Sequence, residues 1–313
     1  MRRLVLQRLL LSLPLPFVVS ALTFLLTALT PGNLARTILG GNATQAQVDQ
    51  LSRQLGLNEP LAVRYWQWLV AALHGNLGVS PTMSQPVTTV LDARLGATLS
   101  LVIGSTVIAA LAGVTLGTIA AVRGGLIGRI VDSLSMLGFA LPNFWLGLIL
   151  IGWFAVDLRA FPASGYVPFG QSVNGWATSL VLPVATLAAP GIAIIARQTR
   201  DSMDATVQRP FMRTLRAAGL PRSSLLVRHA LRNAAIPVLT VMSVVFVGAL
   251  SGSVIAESVF ALPGLGGEAV SATTAHDIPL IQGVALYFTI MVIIVNLVTD
   301  VAYGWLDPRV RVS

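Results

Sequence analysis

Apolar runs of about 20 residues, nearly free of charge, return along the whole chain, and no other feature constrains its fold as tightly. Six stand out: Leu9–Thr30, Ala97–Val122, Ile130–Phe154, Ser179–Ala196, Ala235–Ile255 and Leu280–Tyr303. In lipid each backbone N–H and C=O must find its partner inside the protein, so runs of this length form helices. The expected fold is therefore an all-α polytopic membrane protein with six transmembrane helices. The fourth run carries Pro183, Pro190 and Gly191. It is kept as a span because neighbouring helices or water can satisfy the carbonyls that proline frees. With 55% hydrophobic and 10% charged residues, the composition excludes a soluble domain. The first run is too long for the apolar core of a signal peptide and lacks a small-x-small cleavage site, so it reads as an uncleaved span.

The arginines orient these spans. Arg2, Arg3 and Arg8 precede the first run, and Arg123 and Arg129 separate the second from the third. Arg197, Arg200, Arg209, Arg213, Arg216, Arg222, Arg228 and Arg232 lie between the fourth and fifth, and Arg309 and Arg311 follow the sixth. The opposite side receives only Arg36, Arg53, Arg64, Arg94 and Arg159. The positive-inside rule then places both termini in the cytoplasm. The net charge of +8 thus reports topology, and no nucleic-acid partner is expected. The chain divides into 1–30, a cytoplasmic N-terminus and first span; 31–96, an extracytoplasmic segment with interfacial helices; and 97–313, a core that includes a cytoplasmic loop, 197–234.

Two missing residue types narrow the chemistry. There is no cysteine, which removes disulfides, thiolate metal sites and cysteine nucleophiles. Every basic residue is arginine, and a Walker-type phosphate loop needs a lysine to reach the terminal phosphates. Any ATP and Mg must therefore be held by another subunit. His74, His229 and His276 lack the spacing of metal ligands, so no metal site is expected. No HExxH, serine–lysine or paired-aspartate pattern points to an enzyme. A self-contained secondary transporter or channel would call for coupling-ion carboxylates within the spans and an inverted repeat. Asp132 and Asp300 fall near span ends instead, and no such repeat is evident.

Two segments outside the spans are amphipathic. In the extracytoplasmic region, LAVRYWQWLVAALHG carries Tyr65, Trp66 and Trp68, which suit a membrane interface or a docking surface for a partner. In the cytoplasmic loop, RPFMRTLRAAG begins with Pro210, suited to a first helical turn, and ends at Gly219, suited to the position just past a helix. At about 100° per residue, Phe211, Met212, Leu215 and Ala218 share one face and Arg209, Arg213 and Arg216 the other. A second helix is expected from Pro221, with Arg228 and Arg232 one turn apart, and Pro237 marks entry to the fifth span. Such a helix pair can rest on lipid headgroups or plug into a soluble partner.

The order of motifs resembles the permeases of the dipeptide/oligopeptide branch of binding-protein-dependent ABC importers. RTLRAAGL followed by RHALRNAAIP is similar to that family's cytoplasmic coupling loop. Pro31-Gly32-Asn33, QLGLNEPLAVRYWQWL with HGNLGVS, LPNFWLGLILI, FPASGY, AESVFALPGLG and LDPRVR resemble further signatures, so the likeness covers nearly the whole chain. Asparagine replaces the family's aspartate at Asn33 and Asn76. Pro210-Phe211 stands for aspartate-tyrosine, and Ala218 for lysine.

The resemblance implies a type I importer permease in the bacterial plasma (inner) membrane. It implies a homologous second permease, one or two ABC ATPase subunits, an extracytoplasmic solute-binding protein and a peptide substrate. Nickel chelates, glutathione and haem are the family's other cargoes. Carried over by position, Arg209, Phe211, Arg213, Thr214, Arg216, Ala217 and Gly219 would couple to the ATPase. Candidate translocation-path residues are Asn143, Ser243, Ser251 and Glu257; candidate binding-protein contacts are Tyr65, Trp66 and Trp68. Gly113/Gly117 and Gly248/Gly252 are spaced for close helix packing.

Overall fold

The structure, a computed structural model, describes residues 2–29, 34–40, 42–221 and 223–306. Its elements are α1 (Arg2–Ser12), α2 (Pro14–Leu29), α3 (Leu34–Leu39), α4 (Gln45–Gln54), α5 (Leu61–Leu73), the two-residue strands β1 (Val79–Ser80) and β2 (Gln85–Pro86), α6 (Val87–Arg123), α7 (Gly125–Ala140), α8 (Asn143–Leu150), α9 (Val173–Val207), α10 (Pro210–Ala217), α11 (Leu231–Val259), α12 (Leu265–Thr274) and α13 (Ile278–Leu306). β1 and β2 pair antiparallel, Val79 opposite Pro86. Two π-helical stretches, Ile151–Asp157 and Ser224–Ala230, run directly into their α-helical neighbours. The Pro31-Gly32-Asn33 turn, Arg222 and the Asp307–Arg311 part of LDPRVR lie outside the described residues.

Among the described residues, five helices are long and apolar enough to cross a membrane: Leu6–Thr27, Val87–Arg123, Val173–Val207, Ser224–Val259 and Ile278–Trp305. The chain is a mostly helical, polytopic membrane protein. The third expected span differs. Ile130–Phe154 is not one helix, because Pro142 sits at φ −61°, ψ 133°, and ends α7 before α8 begins. Proline cannot donate to the helix ladder and drives the residue before it away from the helical region. What stands in that span's place is the shorter apolar helix Asn143–Asp157. In α9, by contrast, Pro183 and Pro190 lie inside a continuous helix, which extends well past both expected ends. Pro237 likewise sits within α11 rather than at a boundary.

The chain forms two compact units. The first comprises 1–7, 99–262 and 294–313. Here α9 packs against α7, α8 and α11. Gly113 and Gly117 let α6 approach α9 closely: a Cβ on Gly113 would lie 2.7 Å from the Ile195 Cβ, and one on Gly117 would lie 2.3 Å from the Ala196 carbonyl oxygen. This spacing serves helix packing. In the Gly248/Gly252 pair only Gly252 is crowded, by Leu187 and Asn143.

The second unit comprises 8–98 and 263–293. Thr44 opens α4 with a capping box closed by Gln47. Asn76, where the family's aspartate is expected, accepts a hydrogen bond from the Gly78 N–H at 2.9 Å, as an aspartate there would. Asp277 is fully buried and caps α13 by accepting from the Leu280 N–H, while Ser80 and Thr82 donate their hydroxyls to its other oxygen at 2.5 and 2.6 Å. Arg94 meets the buried Glu268 at 2.7 Å, and the Tyr287 hydroxyl donates to Asp92 at 2.6 Å.

Candidate functional site

The segment joining α9 to α11 is shorter than the sequence suggests. Arg197 to Val207 continue α9, and Ser224 to Ala230 wind directly into α11, so only Gln208–Ser223 forms the connection. The helix expected from Pro221 is not a separate one: the Pro221 carbonyl accepts the Leu225 N–H at 3.1 Å, and the π-turn from Ser224 continues into α11, so Arg228 and Arg232 lie on the membrane helix itself. Between them stands α10. Arg209 is extended at φ −66°, ψ 147°, and Pro210 takes the first helical position.

The end of α10 is closed by both bonds of a Schellman motif. The Gly219 N–H donates to the Arg216 carbonyl and the Leu220 N–H to the Leu215 carbonyl. Gly219 has φ +80°, the left-handed conformation this stop demands. Leu215 and Leu220 pack against one apolar cluster, the contact that accompanies the motif.

One methionine pins the helix. Met212 is 1% exposed, in a core with Met203, Leu225, Leu226, Ala230 and Ala234. Leu215 is half-buried beside it, whereas Phe211, expected on the same face, is 38% exposed and Ala218 is also exposed. On the wheel Met212 lies at one edge of the apolar stripe and Phe211 and Ala218 towards the other, so packing has buried one side of the stripe and left the other outside. Arg209, Phe211, Arg213, Thr214, Arg216, Ala217 and Gly219 all lie on the exposed surface. Among the described residues none of Arg209, Arg213 and Arg216 has an ion-pair partner. The acids nearest in sequence, Asp201 and Asp204, sit on α9 beside Arg197 and Arg200. The result is a fixed, cationic surface with one exposed aromatic ring.

The candidate path residues fall into different settings. Asn143 opens α8, half-buried, with its side-chain nitrogen next to Gly252 of α11. Ser251, one residue away, is exposed and donates to the Val247 carbonyl. Ser243 is tied to Thr299 of α13 at 2.6 Å, and one turn earlier Thr240 bonds Tyr303, so Ser243 joins two spans. Glu257 is buried near the end of α11. The structure brings Asn143 next to Gly252 of α11, whereas Ser243 is held against a different span, α13.

The aromatic trio on α5 divides too. The Tyr65 hydroxyl reaches Ser20 at 3.0 Å and its ring meets Phe24 edge-on. Trp68 stacks on Tyr65 and lines a cavity of about 320 Å³ with Phe24 and Arg64. Burial draws the Arg64 guanidinium below the ordinary arginine range, and the Glu59 carboxylate pulls it partly back. Only Trp66, 65% exposed, faces outward. Sequence reasoning missed the Asp277 and Arg94–Glu268 contacts, since each joins residues far apart in the chain. It also missed both π-helical stretches, which carry no residue signature. No group of three His, Asp or Glu side chains is placed to hold a metal ion among the described residues.

Residues 113–312 match the family described as "Binding-protein-dependent transport system inner membrane component", and residues 1–102 match its N-terminal companion. The chain belongs to this family. Relatives of this inner membrane component match end to end. A Brucella abortus (strain 2308) protein, named as a peptide transport system permease, is 39% identical over 312 residues, 99% of each chain. The glutathione transport system permease protein of Escherichia coli O6:H1 is 37% identical over 308 residues, 98% of each. Among solved structures, the MetNI methionine ABC transporter in inward facing conformations shares the fold. Its TM-score is 0.54 at 16% identity, over 70% of this chain and 97% of that one. This inner membrane component is thus a multi-pass inner-membrane protein with an ABC importer permease fold.

Proposed function

We propose that the chain is the permease subunit of an ATP-driven importer of peptides, one half of a translocation pathway that works by alternating access. The observation that carries this reading is α10: a short helix pinned by Met212, stopped by Gly219, and showing Arg209, Phe211, Arg213, Thr214, Arg216 and Ala217 outward. An exposed cationic face on a rigidly held helix suits docking to a soluble ATPase. Its anchorage between α9 and the start of α11 would carry the ATPase's closing motion into two membrane helices. The subunit itself does no chemistry: ATP and Mg belong to one or two ATPase partners, in keeping with a chain that has no lysine. A homologous second permease completes the pathway, and an extracytoplasmic binding protein delivers the substrate. Peptide is favoured because full-length relatives are named for it.

Glutathione, itself a tripeptide, is the second reading, favoured by the 37% identical permease named for it. Reconstitution of the four kinds of subunit in vesicles tests both. ATP-dependent uptake of a labelled dipeptide or longer peptide supports the first, and uptake of glutathione alone the second. Transport by this chain without an ATPase would sink both and restore a self-contained transporter.

A further inference from the structure

The helix α5 carries its polarity the wrong way round for a segment in water. Val63, Trp66, Val70 and Leu73 fall within about 80° of one another at 100° per residue. All four are exposed, Trp66 at 65% and Leu73 at 67%. The hydrogen-bonding side chains Arg64, Tyr65 and Gln67 lie off this stripe, and Tyr65 and Trp68 turn inward. A continuous exposed apolar stripe calls for a cover.

Contacts with α2 set the depth of α5. The Tyr65 hydroxyl bonds Ser20 and reaches the Phe17 carbonyl at 3.3 Å, while the Tyr65 ring and the Arg64 guanidinium both meet the Phe24 ring. These residues lie inside the span Leu6–Thr27. Ser20 is two turns, about 10 Å, from its outer end at 1.5 Å per residue. A second span gives the same level: Gln282, one turn into α13, donates to the Ser20 carbonyl at 3.2 Å. Even allowing for the reach of the tyrosine ring, these contacts hold α5 level with the outermost turns of the two spans.

We propose that α5 is embedded in the outer leaflet of the membrane, with Val63, Trp66, Val70 and Leu73 against lipid acyl chains. Trp66 sits at the hydrocarbon–headgroup boundary, where tryptophan is favoured. The helix then anchors residues 31–96 to the bilayer, and its exposed face is a lipid surface rather than a landing site for the binding protein. This inference does not depend on which solute is carried.

The chain's lack of cysteine makes the test direct. Single cysteines at Val63, Val70 and Leu73, and at Gln67 as the off-stripe control, are spin-labelled in the full chain in phosphatidylcholine–phosphatidylglycerol vesicles. The ratio of oxygen to nickel-chelate collisions should be several-fold higher at the three stripe positions than at Gln67. As an independent check, Trp66→Phe should remove a clear share of the fluorescence quenching by brominated lipids. Equal, water-like ratios at all four positions would overturn the proposal. So would shielding of the stripe from both reagents, the mark of a protein cover.

Discussion

At Gly219 the backbone turns at φ +80°, and a side chain there would meet nothing within 4 Å. Any penalty for substitution is therefore conformational, not steric. A β-branched residue in the left-handed region costs about 1–3 kcal/mol, whereas asparagine tolerates that region. Gly219→Val should loosen the stop of α10 and lower ATP-driven uptake by about tenfold or more, each 1.4 kcal/mol being a factor of ten. Gly219→Asn should keep most of the activity. Equal uptake by the two variants would show that the helix stop is not what the glycine supplies. The stop was legible in the sequence because a proline start and glycine end are local chemistry. The split between Met212 and Phe211 was not, since a helical wheel shows both on one face. Only the cluster around Met203, Leu225 and Leu226 decides that the methionine goes in and the ring stays out.

On the scale of the element, α10 joins one buried anchor to an exposed cationic surface, and the two can be perturbed separately. Arg213 and Arg216 are exposed and have no ion-pair partner among the described residues. Reversing their charge should leave folding nearly untouched, within about 0.5 kcal/mol. If the surface receives an ATPase, Arg213→Glu with Arg216→Glu should cut ATPase co-purification by about tenfold or more while thermal unfolding stays put. Unchanged co-purification and uptake would mean that the arginines only rest on lipid headgroups. Element boundaries were less legible than elements. Pro142 broke an expected span, but Pro183, Pro190 and Pro237 did not end theirs. The same residue type gives opposite outcomes because α9 and α11 are packed along their length, and neighbours can compensate for a lost ladder bond.

Over the whole molecule, hydropathy made the membrane class readable, because it depends on composition along the chain. The ties that assemble the second unit were hidden for the opposite reason. Asp277 takes hydrogen bonds from Ser80 and Thr82, which are nearly two hundred positions earlier, and no local pattern announces such a partner. Removing its carboxylate has two costs. The cap on α13 is worth about 1 kcal/mol, and a buried donor left unpaired costs about 1–3 kcal/mol. Asp277→Ala should lower the thermal unfolding temperature of the purified chain and reduce uptake, with ATPase co-purification through α10 retained. Asp277→Asn, which keeps an acceptor for the Leu280 N–H, should recover part of the lost stability. The contrast between alanine and asparagine separates a hydrogen-bonding role from simple space-filling. Were alanine to melt at the parent temperature, the hairpin between β1 and β2 would have to be held by its apolar neighbours Leu77 and Val87 instead, both of which are buried.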